Sequence, residues 1–306
     1  MIENLVSVTP DDFDRFFPKP STAFGSAAFN MLNSGNAERV ECIVGCDASG
    51  SPVMGLIAGR RDGLWRTPFS APMSAISWRN DPSIATVESF LRKVTEYLAP
   101  TPLRIVFPPS FVAPSMLSQI AGTAMNMASH ITADFNFHYD LSLFPDFEKH
   151  LRHNARKNYR RAMRAGFTFA QVDIARAYAV IRANRTSKGY YLAMTLAQVE
   201  ATAAAIDIDS FVMSHDGVDV AAAIVYRIAP GIAHVVYWGD APGFEQTRAM
   251  NMLPYHLFGH CQSLGFEIVS IGTSSTDGVP NHGLCSFKSS LGCTTTLVMT
   301  VTIGNS

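Results

Sequence analysis

No stretch of this 306-residue chain supplies the roughly 18 to 20 consecutive apolar residues that a membrane-spanning helix needs. Its apolar runs are broken by His, Gly or Thr, so no membrane span is expected. Charge is scarce as well, at 16% of residues against a usual share of about 25%. With 24 Lys plus Arg facing 25 Asp plus Glu, the net charge is −1, which removes any overall pull toward nucleic acid or anionic membrane and leaves only a local patch to supply one. The N-terminal MIENLVSVTPDDFDRFF has acids where a secretory signal carries basic residues, and no apolar segment behind them, so a cytoplasmic location is expected. Cysteine is too sparse for a disulfide framework: Cys42, Cys46, Cys261, Cys285 and Cys293 are odd in number and widely spread. Cys42 and Cys46 share one face of a strand, yet no second Cys/His pair at metal spacing accompanies them, so buried thiols and no metal are expected.

What the chain does hold is apolar residues, 47% of the total, enough for a large core and an argument against disorder. The first half reads as helices over Pro10–Phe17 and Ser21–Leu32, hairpin strands Arg39–Asp47 and Pro52–Arg60 around Ala48-Ser49-Gly50-Ser51, and a strand over Leu64–Phe69. An amphipathic helix Ser83–Leu98, with Phe90, Leu91, Val94 and Leu98 on one stripe, precedes strand Leu103–Phe107, a helix from Pro114 and a long strand Ile131–Leu143. The second half repeats the order. A helix Asp146–Ala165 leads to strand Phe167–Gln171, helices Ile174–Ser187 and Thr195–Ile206, and strands Ser210–Ser214 and Val218–Ile228 joined at Asp216-Gly217. Strand Gly231–Trp238, helix Arg248–Leu264, strand Phe266–Ile271, helix Pro280–Leu291 and strand Cys293–Ile303 complete it. This predicts an α/β chain of two similarly built halves, 1–145 and 146–306, each a mixed sheet flanked by helices.

Two segments carry chemistry. On the helix over 146–165, Arg152, Arg156, Arg160 and Arg164 climb one side at intervals of four, with Lys157 and Arg161 beside them. Like charges at that spacing repel, which makes sense if an anion or acidic surface lies against them, or if acids elsewhere pair with them. The second segment begins at strand end Tyr237-Trp238-Gly239. It includes the loop through Gln246 and Arg248, the polar run Thr273–Gly278, and Asn281-His282-Gly283-Leu284 leading to Ser286-Phe287-Lys288. Loops after strands collect functional groups because a rigid sheet positions them while leaving them accessible. No Ser/His/Asp or Cys/His spacing demands a covalent intermediate.

Taken together, Leu151-Arg152-His153-Asn154-Ala155-Arg156-Lys157-Asn158-Tyr159-Arg160-Arg161-Ala162, ending at Ala165-Gly166, and Gly283-Leu284-Cys285-Ser286-Phe287-Lys288-Ser289-Ser290-Leu291-Gly292 resemble the FemAB-like branch of the GNAT (acyl-CoA N-acyltransferase fold) superfamily. The resemblance covers mainly residues 146–302; over 1–145 it is one of element order. It implies a tandem GNAT-like fold and transfer of an acyl or aminoacyl group from a thioester or aminoacyl ester to a small-molecule amine, as on a cell-wall or sugar-nucleotide precursor. No tightly bound cofactor is implied. Acyl-CoA, an acyl carrier protein or aminoacyl-tRNA would be the co-substrate.

By that resemblance Phe287 and Lys288 fall on the family's Phe-Lys element, with the lysine near the acceptor, and Arg156 and Arg160 on its basic-helix positions. For the transfer itself, Lys288 is expected to support charge and Asp277 or His282 to take the proton, with Arg156, Arg160, Tyr237, Trp238, Gln246, Arg248 and Phe287 binding substrate and the Phe287 ring lying in the core beneath the loop. The chain departs from the acetyl-CoA pattern Arg/Gln-x-x-Gly-x-Gly/Ala at Gln246-Thr247-Arg248-Ala249-Met250-Asn251, whose backbone cannot approach a pyrophosphate as closely. The rival reading is a non-catalytic module that binds RNA or another anionic partner through the 146–166 helix.

Overall fold

In the computed structural model, which describes residues 1–74 and 76–304, the chain divides into two units. One holds residues 1–134, 277–279 and those from 297 on; the other holds 135–276 and 280–296. The division therefore falls inside a strand, eleven residues before the expected boundary after 145, because strand pairing rather than chain continuity decides which residues belong together.

The first unit opens with Asn4–Ser7 (β1), Pro10–Phe16 (α1) and Ala27–Leu32 (α2). Helix α1 begins at Pro10 because Thr9 accepts a hydrogen bond from the Asp12 N–H and Pro10 fills a position where no N–H is needed. The hairpin Arg39–Cys46 (β2) and Pro52–Arg61 (β3) is antiparallel, and the Asp47 carboxylate accepts from the N–H groups of Ser49 and Ser51 across its turn. Leu64–Thr67 (β4) and Ser77–Trp78 (β5) both pair with β3. Next come Ile84–Leu98 (α3), Leu103–Val106 (β6), Pro114–Asn126 (α4) and Ala128–Asp140 (β7). The α3 stripe of Val87, Phe90, Leu91 and Val94 packs with Leu56, Leu103 and Ile105 in the core. Each such side chain contributes about 1.5–3 kcal/mol when fully buried.

The second unit departs from expectation at its start. One helix over 146–165 is expected, but Phe147–His150 (α5) and His153–Ala162 (α6) are separated by Leu151 and Arg152 in extended conformation. The break has a cause in the basic residues themselves. Arg156 turns back and donates to the carbonyls of Glu148, Lys149 and Leu151, which satisfies the end of α5 and stops it from continuing.

Thr168–Gln171 (β8), Ile174–Lys188 (α7) and Leu196–Thr202 (α8) come next, then Ile208–His215 (β9) and Val218–Ala229 (β10), joined through Asp216 and Gly217 at φ 50° and 78°. That positive-φ pair is the turn whose twist suits a tight hairpin. Ile232–Asp240 (β11), Ala249–Ser263 (α9), Ile268–Thr273 (β12), Ser275–Thr276 (β13), Val279–Pro280 (β14), His282–Ser290 (α10) and Thr294–Ile303 (β15) complete the chain.

The second unit's sheet runs from the C-terminal part of β7 through β12, β11, β10 and β9 to β8; the first unit's runs β1, β2, β3, β4, β6 and the end of β15. Each contains one parallel pair, β4/β6 and β11/β12, among antiparallel ones. Strand β12 is short and irregular. Its parallel register with β11 spans only Ile232↔Ile268 to His234↔Ser270, and its pairing with β7 shifts between Ser270 and Thr273, where Gly272 sits at φ 74°. A bulge at that point re-aims the backbone carbonyls. Among the described residues, no helix is long and apolar enough to cross a membrane.

Candidate functional site

The start of α6 and one face of α10 converge on a cleft of about 530 Å³ in the second unit. Arg152, His153, Asn154 and Asn158 form one wall, Ser286, Phe287 and Ser290 another, and Asn251 of α9 contributes as well. Arg152 ties the walls together, since its backbone N–H donates to the Ser290 carbonyl at 3.0 Å. It occupies the cap position of α6 without a side-chain cap bond, so the positive end of the helix dipole and the Arg152 guanidinium stand on the same wall. The Trp238 ring meets the Phe287 ring edge-on, with centroids 6.0 Å apart.

The basic residues divide into two groups. Arg156 is spent on the three carbonyls that end α5, and Arg160 pairs with Glu148. Arg152, Lys157, Arg161 and Arg164 are exposed, and none has a carboxylate within ion-pair distance among the described residues. Arg156 and Arg160, the two expected to bind substrate, are thus engaged in the fold, while the cleft takes its charge from Arg152.

Lys288 and Phe287 exchange the places expected for them. Phe287 is half-buried on the cleft wall, whereas Lys288 is 4% exposed. The Lys288 ammonium donates to the Gly272 carbonyl at 2.8 Å and the Thr273 carbonyl at 2.9 Å, and lies 5.7 Å from the centre of the Phe137 ring. Lys288 therefore holds the β12 bulge. Burial lowers its pKa from 10.5 to about 8. On the same strands, His234 Nδ1 lies 3.1 Å from Ser270 Oγ; burial, with the Lys288 charge as a smaller cause, lowers His234 to about 4 and so keeps it neutral. Burial also pushes the Cys293 thiol up to about 12.

Tyr237 and Trp238 separate across the sheet, as successive strand residues must. Trp238 contacts Phe287 on the cleft side, while the Tyr237 hydroxyl accepts from the Met194 N–H and its ring faces Arg185 of α7. Gln246 is exposed in a short 3₁₀ turn, and Arg248 sits at φ 62° immediately before α9. Asp277 is exposed, at the turn between β13 and β14, and pairs with Arg104 at 3.4 Å within the first unit. His282 is exposed at the first position of α10, and neither it nor Asp277 lines the cleft. Sequence reasoning did not pick out Arg152 or His153 as site residues, and it missed Asn154, Asn158, Asn251, Ser286 and Ser290. A signal was present in the four-residue spacing of Asn154 with Asn158 and of Ser286 with Ser290, which puts each pair on one helix face.

No protein-family model and no curated protein sequence matches the chain. Solved structures do match in fold. FemX superposes with a TM-score of 0.68 at 9% identity, covering 97% of each chain. The C-terminal domain of a protein assigned as a lysylphosphatidylglycerol synthetase from Agrobacterium fabrum gives 0.62 at 12%, covering 97% of this chain and 93% of that one. A tandem GNAT protein from the clavulanic acid biosynthesis pathway gives 0.56 at 14%, covering 99% of both. The repeated order of elements, the mixed sheets flanked by helices and these superpositions over nearly the whole length agree: the chain has the tandem GNAT-like fold.

Proposed function

We propose that the protein is an N-acyltransferase or aminoacyltransferase and that the cleft of the second unit receives its substrate. The observation that carries this reading is the convergence of the α6 N-terminus and the polar face of α10 on one cleft, in a fold shared with FemX and a tandem GNAT protein. In such a transfer an amine nitrogen attacks the carbonyl carbon of a thioester or aminoacyl ester. The C–N bond forms, the C–S or C–O bond breaks, and the amine proton leaves as the thiol or alcohol departs. The site must orient both reactants, accept that proton and stabilise the oxyanion.

Arg152, with the dipole of α6, holds an anionic group of donor or acceptor, while Asn158, Asn251, Ser286 and Ser290 supply hydrogen bonds and Phe287 an apolar wall. His153 is the lining imidazole and takes the amine proton. Lys288 acts from behind, fixing the bulge at Gly272 and Thr273. Asp277, engaged with Arg104, and His282, outside the cleft, receive no step. The donor is an acyl-CoA, an acyl carrier protein thioester or an aminoacyl-tRNA, and the Gln246–Asn251 loop without glycine weighs against simple acetyl-CoA.

The test is transfer by purified protein from each donor class to a panel of amines, repeated with Arg152→Glu. Product from one class, lost on charge reversal while the melting temperature holds, is expected. Absence of product from every class, with salt-sensitive RNA binding that Arg152→Glu abolishes, would replace the enzyme with an anion-binding module.

A further inference from the structure

On the sheet face opposite Trp238, the second unit holds an arginine whose charge no carboxylate among the described residues balances. The guanidinium of Arg185, near the C-terminus of α7, lies 5.9 Å from the Tyr190 ring centre and 5.9 Å from the Tyr237 ring centre. Its Nε is buried without a hydrogen-bond partner among the described residues, and no carboxylate there lies within ion-pair distance of it. Asp240, at the end of β11, is already taken by Lys188 Nζ at 2.8 Å and Asn184 Nδ2 at 2.9 Å, residues on either side of Arg185 in α7.

The segment beyond α7 is pinned at both ends. The Tyr190 N–H donates to the Arg185 carbonyl, and at the far end the Met194 N–H donates to the Tyr237 hydroxyl while the Tyr178 hydroxyl donates to the Met194 carbonyl. Between the pins, Tyr190 is 55% and Tyr191 85% exposed. Tyr190, whose ring lies against the Arg185 guanidinium, and its exposed neighbour Tyr191 leave aromatic surface open beside a cation that has no ion-pair partner among the described residues.

The geometry points to a second ligand site, at Arg185, Tyr190 and Tyr191, for an oxyanion carried on a planar apolar group. With two ring centres within 6 Å of it, the guanidinium has its terminal N–H groups to offer to two oxygens at once, which suits a carboxylate or a phosphate monoester, while the tyrosines supply stacking surface for the group that carries it. This inference does not depend on the transferase reading, because none of these residues lines the cleft, and it is tested by binding alone.

Isothermal titration of the full chain with benzoate, phenyl phosphate and inorganic phosphate decides it. Phenyl phosphate or benzoate should bind at least tenfold more tightly than inorganic phosphate, and which of the two wins identifies the oxyanion. Tyr190→Ala should remove the advantage of the ring, and Arg185→Lys should weaken binding by tenfold or more because a point charge replaces a fork. Tyr191→Ala, at a highly exposed position, leaves the fold untouched and should still weaken the aromatic ligands. No binding of any of the three, or binding unchanged in Arg185→Lys and Tyr191→Ala, would overturn the site.

Discussion

Replacing Lys288 by methionine separates what this residue costs the fold from what it supplies. The drop of its pKa from 10.5 to about 8 corresponds to about 3 kcal/mol against the charged form inside the protein. Methionine, of similar length and apolar, relieves that penalty. It also strands the Gly272 and Thr273 carbonyls, at about 1–3 kcal/mol each if they stay buried. The two effects are of one size, so Lys288→Met should change stability at pH 7 by no more than about 2 kcal/mol, whereas Lys288→Ala adds a cavity and should cost on the order of 2–5 kcal/mol.

The pH dependence is sharper. Between about 8 and 10.5 the unfolded chain carries the Lys288 proton and the folded chain does not, so unfolding free energy rises with pH across that window and is flat below it. Cys42, Cys261 and Cys293, pushed up to about 12 by burial, act in the opposite sense above pH 9, so the readout is wild type minus variant. Urea unfolding from pH 7 to 10.5 should show that difference growing by about 3 kcal/mol. Turnover on an identified substrate should fall as well, because the β12 bulge loses its pin. A variant whose stability keeps the wild-type pH slope would refute the claim that the ammonium is buried in the folded state.

Arg156→Ala should lower stability by about 1–3 kcal/mol, read as a fall in melting temperature, since it frees the carbonyls that end α5, and its effect on anion binding should be small beside that of Arg152→Ala. Phe287→Ala should cost less than the roughly 3–5 kcal/mol of a fully buried phenylalanine, because its ring is only half-buried, and should raise KM for the substrate by removing a wall of the cleft.

Much of the architecture was legible from local pattern. The tight turn at Asp216-Gly217, the Thr9-Pro10 start of α1 and the stripe of α3 are written within a few residues of where they act, and the element order repeated across the chain was enough to imply two similar halves. The pairing of the basic segment with the Phe-Lys segment, far apart in the chain, pointed to the two elements that meet at the cleft. What sequence spacing could not reveal was the direction of individual side chains. Arg156 and Arg160 have the spacing of a binding face, yet Arg156 ends the preceding helix and Arg160 pairs with Glu148. Phe287 and Lys288 are neighbours, and the expectation that the apolar one is inside fails because a bulge in β12 presents two carbonyls that only a buried donor satisfies. The unit boundary inside β7 depends likewise on which strands pair across some 200 residues, as Leu103 does with Ile303. Local free energies of capping, turns and amphipathic stripes are set by neighbours in the chain, so sequence alone determined them. Which polar group is spent on the backbone and which is left for a ligand depends on partners that only the tertiary fold brings together.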